Sequence, residues 1–307
     1  MLSVTDYQPR LIDDMITALL GELPALFLTG PRATGKTTTA LRHAKTVVRL
    51  DRAAGAVAFR ADPDAAMRGL VEPILRLSEE ARVHWLESYV EHLLTRDAEQ
   101  IDGGRDPVRL RRYLEAYALN TAGTVRDSTL LESSGINRKT AQAYERLLTN
   151  LLVVESIPAW TSNRLKRLSL SPKRYVLDPS IAASVLGLDV DLVMRDGDLL
   201  GRLLDTFVTS QLRAELPITR ARPRLYHLRQ REGRLEIDVL AELAGGRIVG
   251  LEVRADASPD AGSARHLAAL RDRYPDRFLT GIVLHAGPYT YPLRERLVAA
   301  PISSLWA

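Results

Sequence analysis

Eight consecutive residues constrain this chain more than any others. Gly30-Pro31-Arg32-Ala33-Thr34-Gly35-Lys36-Thr37 fits the pattern G-x-x-x-x-G-K-[ST], preceded by the apolar run Leu23 to Thr29 and followed by a helix-like stretch, Thr38 to Lys45. Strand, glycine-bounded loop and helix in that order make a phosphate cradle. The two glycines let the backbone curl without a Cβ penalty, so that successive N–H groups point inward at an anion. Lys36 then reaches the β and γ oxygens as a point charge, Thr37 offers its hydroxyl to Mg²⁺, and the helix presents its positive dipole end. Lysine is scarce here, five of 42 basic residues (36, 45, 139, 166 and 173), so Lys36 at this position stands out. The expected ligand is ATP with magnesium, held by Gly30 to Thr38.

Binding is not hydrolysis, which needs a carboxylate on a neighbouring strand to hold the magnesium and a group to position water. Val47-Val48-Arg49-Leu50-Asp51 looks like the second strand, with Asp51 read as structural. Leu151-Leu152-Val153-Val154-Glu155 fits the letters but follows a helix-turn-helix-like pair and reads better as a wing strand. The 26 residues from Arg52 to Leu77 hold no clear apolar strand. A complete doubly wound nucleotide-binding core takes on the order of 150 residues. This one is too short, so nucleotide binding is expected and hydrolysis is not.

Composition removes other classes. The 307 residues, two or three domains' worth, are 46% hydrophobic and 26% charged with mean hydropathy −0.10, as in ordinary globular proteins. The absence of cysteine excludes disulfide scaffolds, thiolate zinc sites and cysteine nucleophiles. The histidines at 43, 84, 92, 227, 266 and 285 show no ligand spacing, and no serine sits in G-x-S-x-G. Met1 to Arg10 lacks an apolar signal core, and no stretch nears a membrane span, so a cytoplasmic protein with no membrane partner is expected. The net charge of +4 and pI of about 9.4 permit nucleic acid as a partner without demanding it.

In the middle of the chain Val108, Leu110, Tyr113, Leu114, Tyr117 and Ala118 recur at helical spacing beside Arg105, Arg109, Arg111 and Arg112. Ser128 to Ser133 predicts a short helix, Gly135 a turn, and Asn137 to Leu148 a second helix capped by Asn137 and carrying Arg138, Lys139 and Arg146. With Leu151 to Val154 and the segment to Trp160 as a wing, this is a winged-helix pattern. Its second helix suits a major groove of duplex DNA, with Arg164, Lys166, Arg167, Lys173 and Arg174 as a phosphate-contacting patch. A purely structural role for the same module fits equally well. Further on, a helix over Leu199 to Leu212 precedes three predicted strands, Arg224 to Leu228, Glu236 to Leu243 and Arg247 to Val253, a β-meander. Alternation puts Glu236 with Asp238, and Glu252 with Arg254, on one face of their strands.

Taken together these motifs resemble the bacterial and archaeal ATPases that join an AAA+-type P-loop domain to a C-terminal domain of uncharacterised function with a PD-(D/E)xK nuclease-like core. The resemblance rests on Leu23 to Asp51, on Trp85-Leu86-Glu87-Ser88-Tyr89-Val90-Glu91-His92-Leu93-Leu94-Thr95-Arg96-Asp97, and on Ser171-Pro172-Lys173-Arg174-Tyr175-Val176-Leu177-Asp178. Gly201 to Glu215, Leu225 to Asp238 and Ile248 to Arg254 complete it. Such ATPases place a Walker-B strand and a sensor strand before the Trp85-type helix, and here that middle is missing, so the chain looks internally shortened.

The resemblance implies an α/β protein in four parts: a truncated P-loop unit (1–77), a helical linker (78–122), a winged-helix region (123–192) and an α+β PD-(D/E)xK-like domain (193–307). It also implies Asp238 as central Mg²⁺ ligand, Glu252 as second ligand, Arg254 as the basic residue and Asp205 as the helix carboxylate. Two positions depart from the better-known pattern. Arg254 stands where lysine is usual and cannot act as a base, and Asp205 is a methylene shorter than glutamate. The alternative reading is that these are solvated charges on an exposed sheet face.

Overall fold

The computed structural model describes residues 9–22, 28, 35–44, 79–97, 106–230 and 235–306. The chain divides into two units, Met1–Arg82 and Val83–Ala307. In the first, α1 (Ile12–Glu22) and α2 (Lys36–His43) are tied by Asp13, whose carboxylate stands 3.2 Å from His43 Nε2. The predicted strand Leu23 to Thr29 apart from Leu28, the loop Gly30 to Thr34, the segment Val47 to Asp51 and the stretch Arg60 to Leu77 lie outside the described residues. Helix α3 (Glu79–His92), continued by a wider turn over Leu93–Asp97, carries the division between the units.

The second unit begins with a helical layer. In α4 (Pro107–Leu119), Asp106 caps the start by accepting from the N–H groups of Val108 (3.0 Å) and Arg109 (3.3 Å), with Pro107 in the first turn, where no N–H is missed. Leu110, Tyr113, Leu114 and Tyr117 then bury at the 3–4 spacing of one helix face. Val108, assigned to that face by spacing, is instead 64% exposed. Helices α5 (Asp127–Ser134) and α6 (Arg138–Asn150) follow, joined at Gly135. Asn137 caps α6 as predicted, accepting from Thr140 N–H at 3.0 Å. Leu130, Tyr144, Leu147 and Leu148 close the core with Val154, Val176, Ile181 and Val185.

The predicted wing begins later than Leu151. Residues 151–153 form a turn in which Leu152 takes a positive φ of 57°, and β1 runs over Val154–Ile157. It pairs antiparallel with β2 (Lys173–Val176), Val154 opposite Val176 and Ile157 opposite Lys173. A helical turn, Arg164–Arg167, fills the connection, and α7 (Pro179–Leu186) follows β2.

Helix α8 (Gly197–Glu215) leads into a six-stranded mixed sheet of order β3-β4-β5-β6-β8-β7. Its strands are β3 (Arg224–Arg229), β4 (Glu236–Glu242), β5 (Ile248–Arg254), β6 (Phe278–His285), β7 (Tyr291–Arg294) and β8 (Leu297–Pro301). The first three are the predicted meander, and α9 (Arg265–Arg273) makes the crossover that parallel β5 and β6 require. Two separate cores sandwich the sheet. Val208 and Leu212 of α8 pack on Val239, Leu251, Val253 and Leu284, whereas Leu267 and Leu270 of α9 pack with Ile237, Leu240, Phe278 and Val283. Gly250 permits the second contact, since a Cβ there would come within 2.7 Å of Leu267.

The helical layer and the sheet share one hub. Glu242 accepts from Arg167 through both guanidinium ends (2.7 and 3.0 Å), from Arg277 (3.1 Å) and from the indole of Trp160 (3.2 Å), and both guanidinium groups lie over the Trp160 ring.

Candidate functional site

Three places hold the residues that sequence reasoning singled out. The first is the start of α2. Gly35 is its N-cap residue in the left-handed conformation (φ 75°, ψ 17°) and, having no side chain, makes no side-chain cap. The first-turn N–H groups of Lys36, Thr37 and Thr38 stand at the positive end of the helix dipole, which favours an anion. The guanidinium of Arg10 lies against Gly35 where a Cβ would stand, so only glycine suits both the turn and the contact. Gly30, Pro31, Arg32, Ala33 and Thr34 lie outside the described residues.

The second place is the carboxylate group of the sheet domain. Asp205, on the buried stripe of α8, is only 5% exposed, and Glu252 on β5 is 2% exposed. They are not solvated charges on an open face. Each has a cation fixed to it. Lys173 Nζ, at the first position of β2, donates to Asp205 at 2.5 Å and to Asp238 at 3.0 Å, and is itself buried. Tyr175 and Thr209 donate to the other oxygen of Asp205. Asp238 also accepts from the Val253 N–H at 3.1 Å. Across β3 and β4 the register passes from Tyr226 opposite Leu240 to Leu228 opposite Ile237, so one extra residue of β4 is taken up beside Asp238. A bulge of this kind re-aims a side chain.

These contacts set the protonation order. Burial pushes the Asp205 carboxyl up to about 6 although Lys173 pulls it down. Burial also acts against Asp238, but the Lys173 ammonium and the Val253 N–H outweigh it and hold this acid below the usual range. Burial would discharge Lys173, yet the two carboxylates keep its pKa well above the ordinary value. The cluster is one ammonium shared between a stronger and a weaker acid.

Glu252 is engaged differently. Leu251 and Val253 belong to the core under α8, so alternation turns Glu252 to the α9 side. There Arg254 donates to it at 2.7 Å, and burial raises its pKa against the pull of that guanidinium. Its other oxygen is buried with no hydrogen-bond partner among the described residues. The Mg²⁺ site implied by resemblance does not fit this geometry. Magnesium seeks a near-octahedral oxygen shell. Here Asp238 is committed to an ammonium toward α8 and Glu252 to a guanidinium toward α9. Among the described residues no group of three or more His, Asp or Glu is placed to hold a metal ion.

The third place is the basic surface. Lys173 and Arg174, assigned to a phosphate-contacting patch, are buried instead. Arg174 pairs with Asp127 at 2.5 Å and Glu145 at 3.4 Å, and Arg167 is spent on Glu242. Three of the patch's five cations are thereby withdrawn, because each meets a carboxylate distant in sequence, while Lys166 stays exposed. By contrast Arg138, Lys139, Gln142 and Arg146 of α6 are exposed, and 138, 142 and 146 follow one another at the i, i+4 spacing of a single stripe. Glu155, whose letters fit a Walker-B strand, lies in β1, is paired with Arg213 of α8, and has its pKa pushed up to about 7 by burial. It is packed inside the second unit.

Comparisons with known proteins agree with parts of this picture. Residues 69–192 match a family model described as a domain of unknown function (DUF8612), and residues 200–305 match a second, a domain of unknown function (DUF4143). Domains of the second description are typically found in AAA-ATPase-like proteins. Among curated proteins the chain is similar to an uncharacterized protein of Mycobacterium tuberculosis and one of Mycobacterium bovis. Each is 28% identical over 237 residues, covering 77% of this chain and 52% of the relative. The chain thus spans about half the length of the curated relatives it matches. No solved structure matches it. The protein is mixed α/β, and among the described residues no helix is long and apolar enough to cross a membrane.

Proposed function

We propose that this chain is a nucleotide-binding protein of AAA-ATPase-like descent that takes ATP with Mg²⁺ at Gly30 to Thr38. The observation that carries this reading is the start of α2, where Gly35 takes the left-handed conformation at the N-cap position directly before Lys36 and Thr37. Lys36 would neutralise the β and γ phosphates, and the Thr37 hydroxyl would ligate the nucleotide's magnesium. The reading stops at binding, because the sequence offers no Walker-B carboxylate. Titration calorimetry with Mg-ATP tests it: Lys36→Ala should weaken affinity at least about tenfold, the worth of roughly 1.4 kcal/mol. Equal affinity of wild type and variant overturns the reading.

A second reading is favoured by the exposed stripe of α6. In it the segment 123–192 acts as a winged helix and Arg138, Gln142 and Arg146 face the major groove of duplex DNA. The sheet domain then serves as a PD-(D/E)xK-like scaffold in which Asp205, Asp238, Glu252 and Arg254 hold structure. It predicts duplex binding that weakens steeply with salt, and no shift with any duplex at low salt rules it out.

A further inference from the structure

A cleft of about 510 Å³ opens between the first turn of α5, the end of the β1–β2 connection and the end of β3. Arg126 and Thr129 stand on one side, Ser171 and Arg229 on the other, and Val125 and Leu170 contribute apolar surface. No carboxylate is among its lining residues. We propose that this cleft holds a backbone phosphodiester of duplex DNA, a proposal that rests on the DNA reading of α6.

Charge argues first. The cleft's histidine, His227, has its pKa lowered to about 4 by burial, and its Nε2 lies 3.1 Å from the Ser171 carbonyl, so it is a neutral ring donating to that oxygen. The positive charge therefore resides on the two guanidinium groups. Arg229 is positioned by a 2.5 Å hydrogen bond to the Thr124 hydroxyl and makes a solvent-exposed ion pair with Glu236 at 3.8 Å. Arg126 is exposed, and among the described residues no carboxylate comes within ion-pair distance of it. Guanidinium forks match the paired terminal oxygens of a phosphodiester, and Thr129 and Ser171 line the same space. The apolar surface suits a deoxyribose.

Continuity argues second. Arg126 is the N-cap residue of α5 and makes no side-chain cap, and Asp127 beside it is neutralised by Arg174 and by Arg138 at 3.9 Å. Arg138 is the first residue of α6. One basic rim thus runs from the α6 stripe through Arg138 and Arg126 into the cleft, as expected where a helix reads a groove and its neighbour grips the flanking backbone.

Fluorescence anisotropy with a short labelled duplex at several salt concentrations tests the proposal in the full chain. Arg126→Ala with Arg229→Ala should weaken binding about tenfold and lower the slope of log affinity against log salt by about 1, one phosphate's share. Arg126→Glu, a reversal at an exposed position that leaves the fold intact, should weaken binding by at least as much. If wild type binds no duplex, the DNA reading fails and the proposal with it. If Arg138→Ala with Arg146→Ala weakens binding while both cleft variants keep wild-type affinity and slope, the DNA reading stands and the cleft assignment is wrong. Displacement of the duplex by a free mononucleotide from wild type, but not from the cleft double variant, would make the cleft a nucleotide site and also overturn the assignment.

Discussion

The start of α2 and the carboxylate cluster of the sheet domain were both singled out by short motifs, yet they differ in what those motifs mean. At α2 the chemistry is local. A glycine that tolerates φ of 75°, with a lysine and a threonine on the next turn, is all that the proposed anion site asks of its backbone, whatever the rest of the chain does. In the sheet domain the same kind of spacing argument names the acids but not their counter-ions. Asp205 and Asp238 are claimed by Lys173, which is 32 residues from one and 65 from the other. A motif built on backbone geometry carries its meaning with it, whereas a motif built on charge takes its meaning from whichever charge the fold brings.

The largest expected effect comes from breaking the distant partnership. Lys173→Met leaves two acids facing each other with no cation and should destabilise the protein by about 3–5 kcal/mol, read as a lower urea midpoint. If added Mg²⁺ restores the midpoint of that variant, the acids accept a metal once the ammonium is gone, and the contrast with α2 narrows. The pH dependence of stability follows. Glu155 has a folded pKa of about 7 against an ordinary 4.5, so its contribution is full below about 4.5 and is lost as pH rises through 7. Glu155→Gln should flatten the decline across that window by on the order of 1–3 kcal/mol, measured by denaturant titrations at several pH values. The smallest effect belongs to a local signal. Asn137→Ala removes one cap from α6 and should cost about 1 kcal/mol of stability. A loss as large as that of Lys173→Met would mean that local and distant contacts matter alike.

Legibility in the sequence follows the same division. The Asn137 cap, the α5–α6 pair and the β3–β4–β5 meander were readable because each depends on residues within a few positions of one another. The first wing strand was misplaced by three residues, since Leu151 to Val153 carry strand-like side chains but are needed to turn the chain out of α6. The fate of Lys173 and Arg174 was not readable at all. In a chain with 37 arginines a basic pair beside Arg164, Lys166 and Arg167 looks like a surface patch. Only tertiary pairing with Asp205, Asp238, Asp127 and Glu145 puts both inside. The aim of Asp238 escaped for a related reason, because the extra residue beside it shows only when β3 and β4 are laid together.

The Glu242 hub bears on how the chain is made. Trp160 and Arg167 leave the ribosome some 80 residues before the acid that binds them, and Lys173 emerges well ahead of Asp205 and Asp238. Until β4 is synthesised the ribbon lacks its Glu242 staple and Lys173 lacks its second counter-charge, Asp238, and contacts of such long sequence separation form late. A fragment ending before residue 236 would therefore keep Asp205 beside Lys173 but leave the Trp160 indole and the Arg167 guanidinium without Glu242, features that invite capture by chaperones. The helical layer, although it has a core of its own, is completed only by the half of the chain that is translated last.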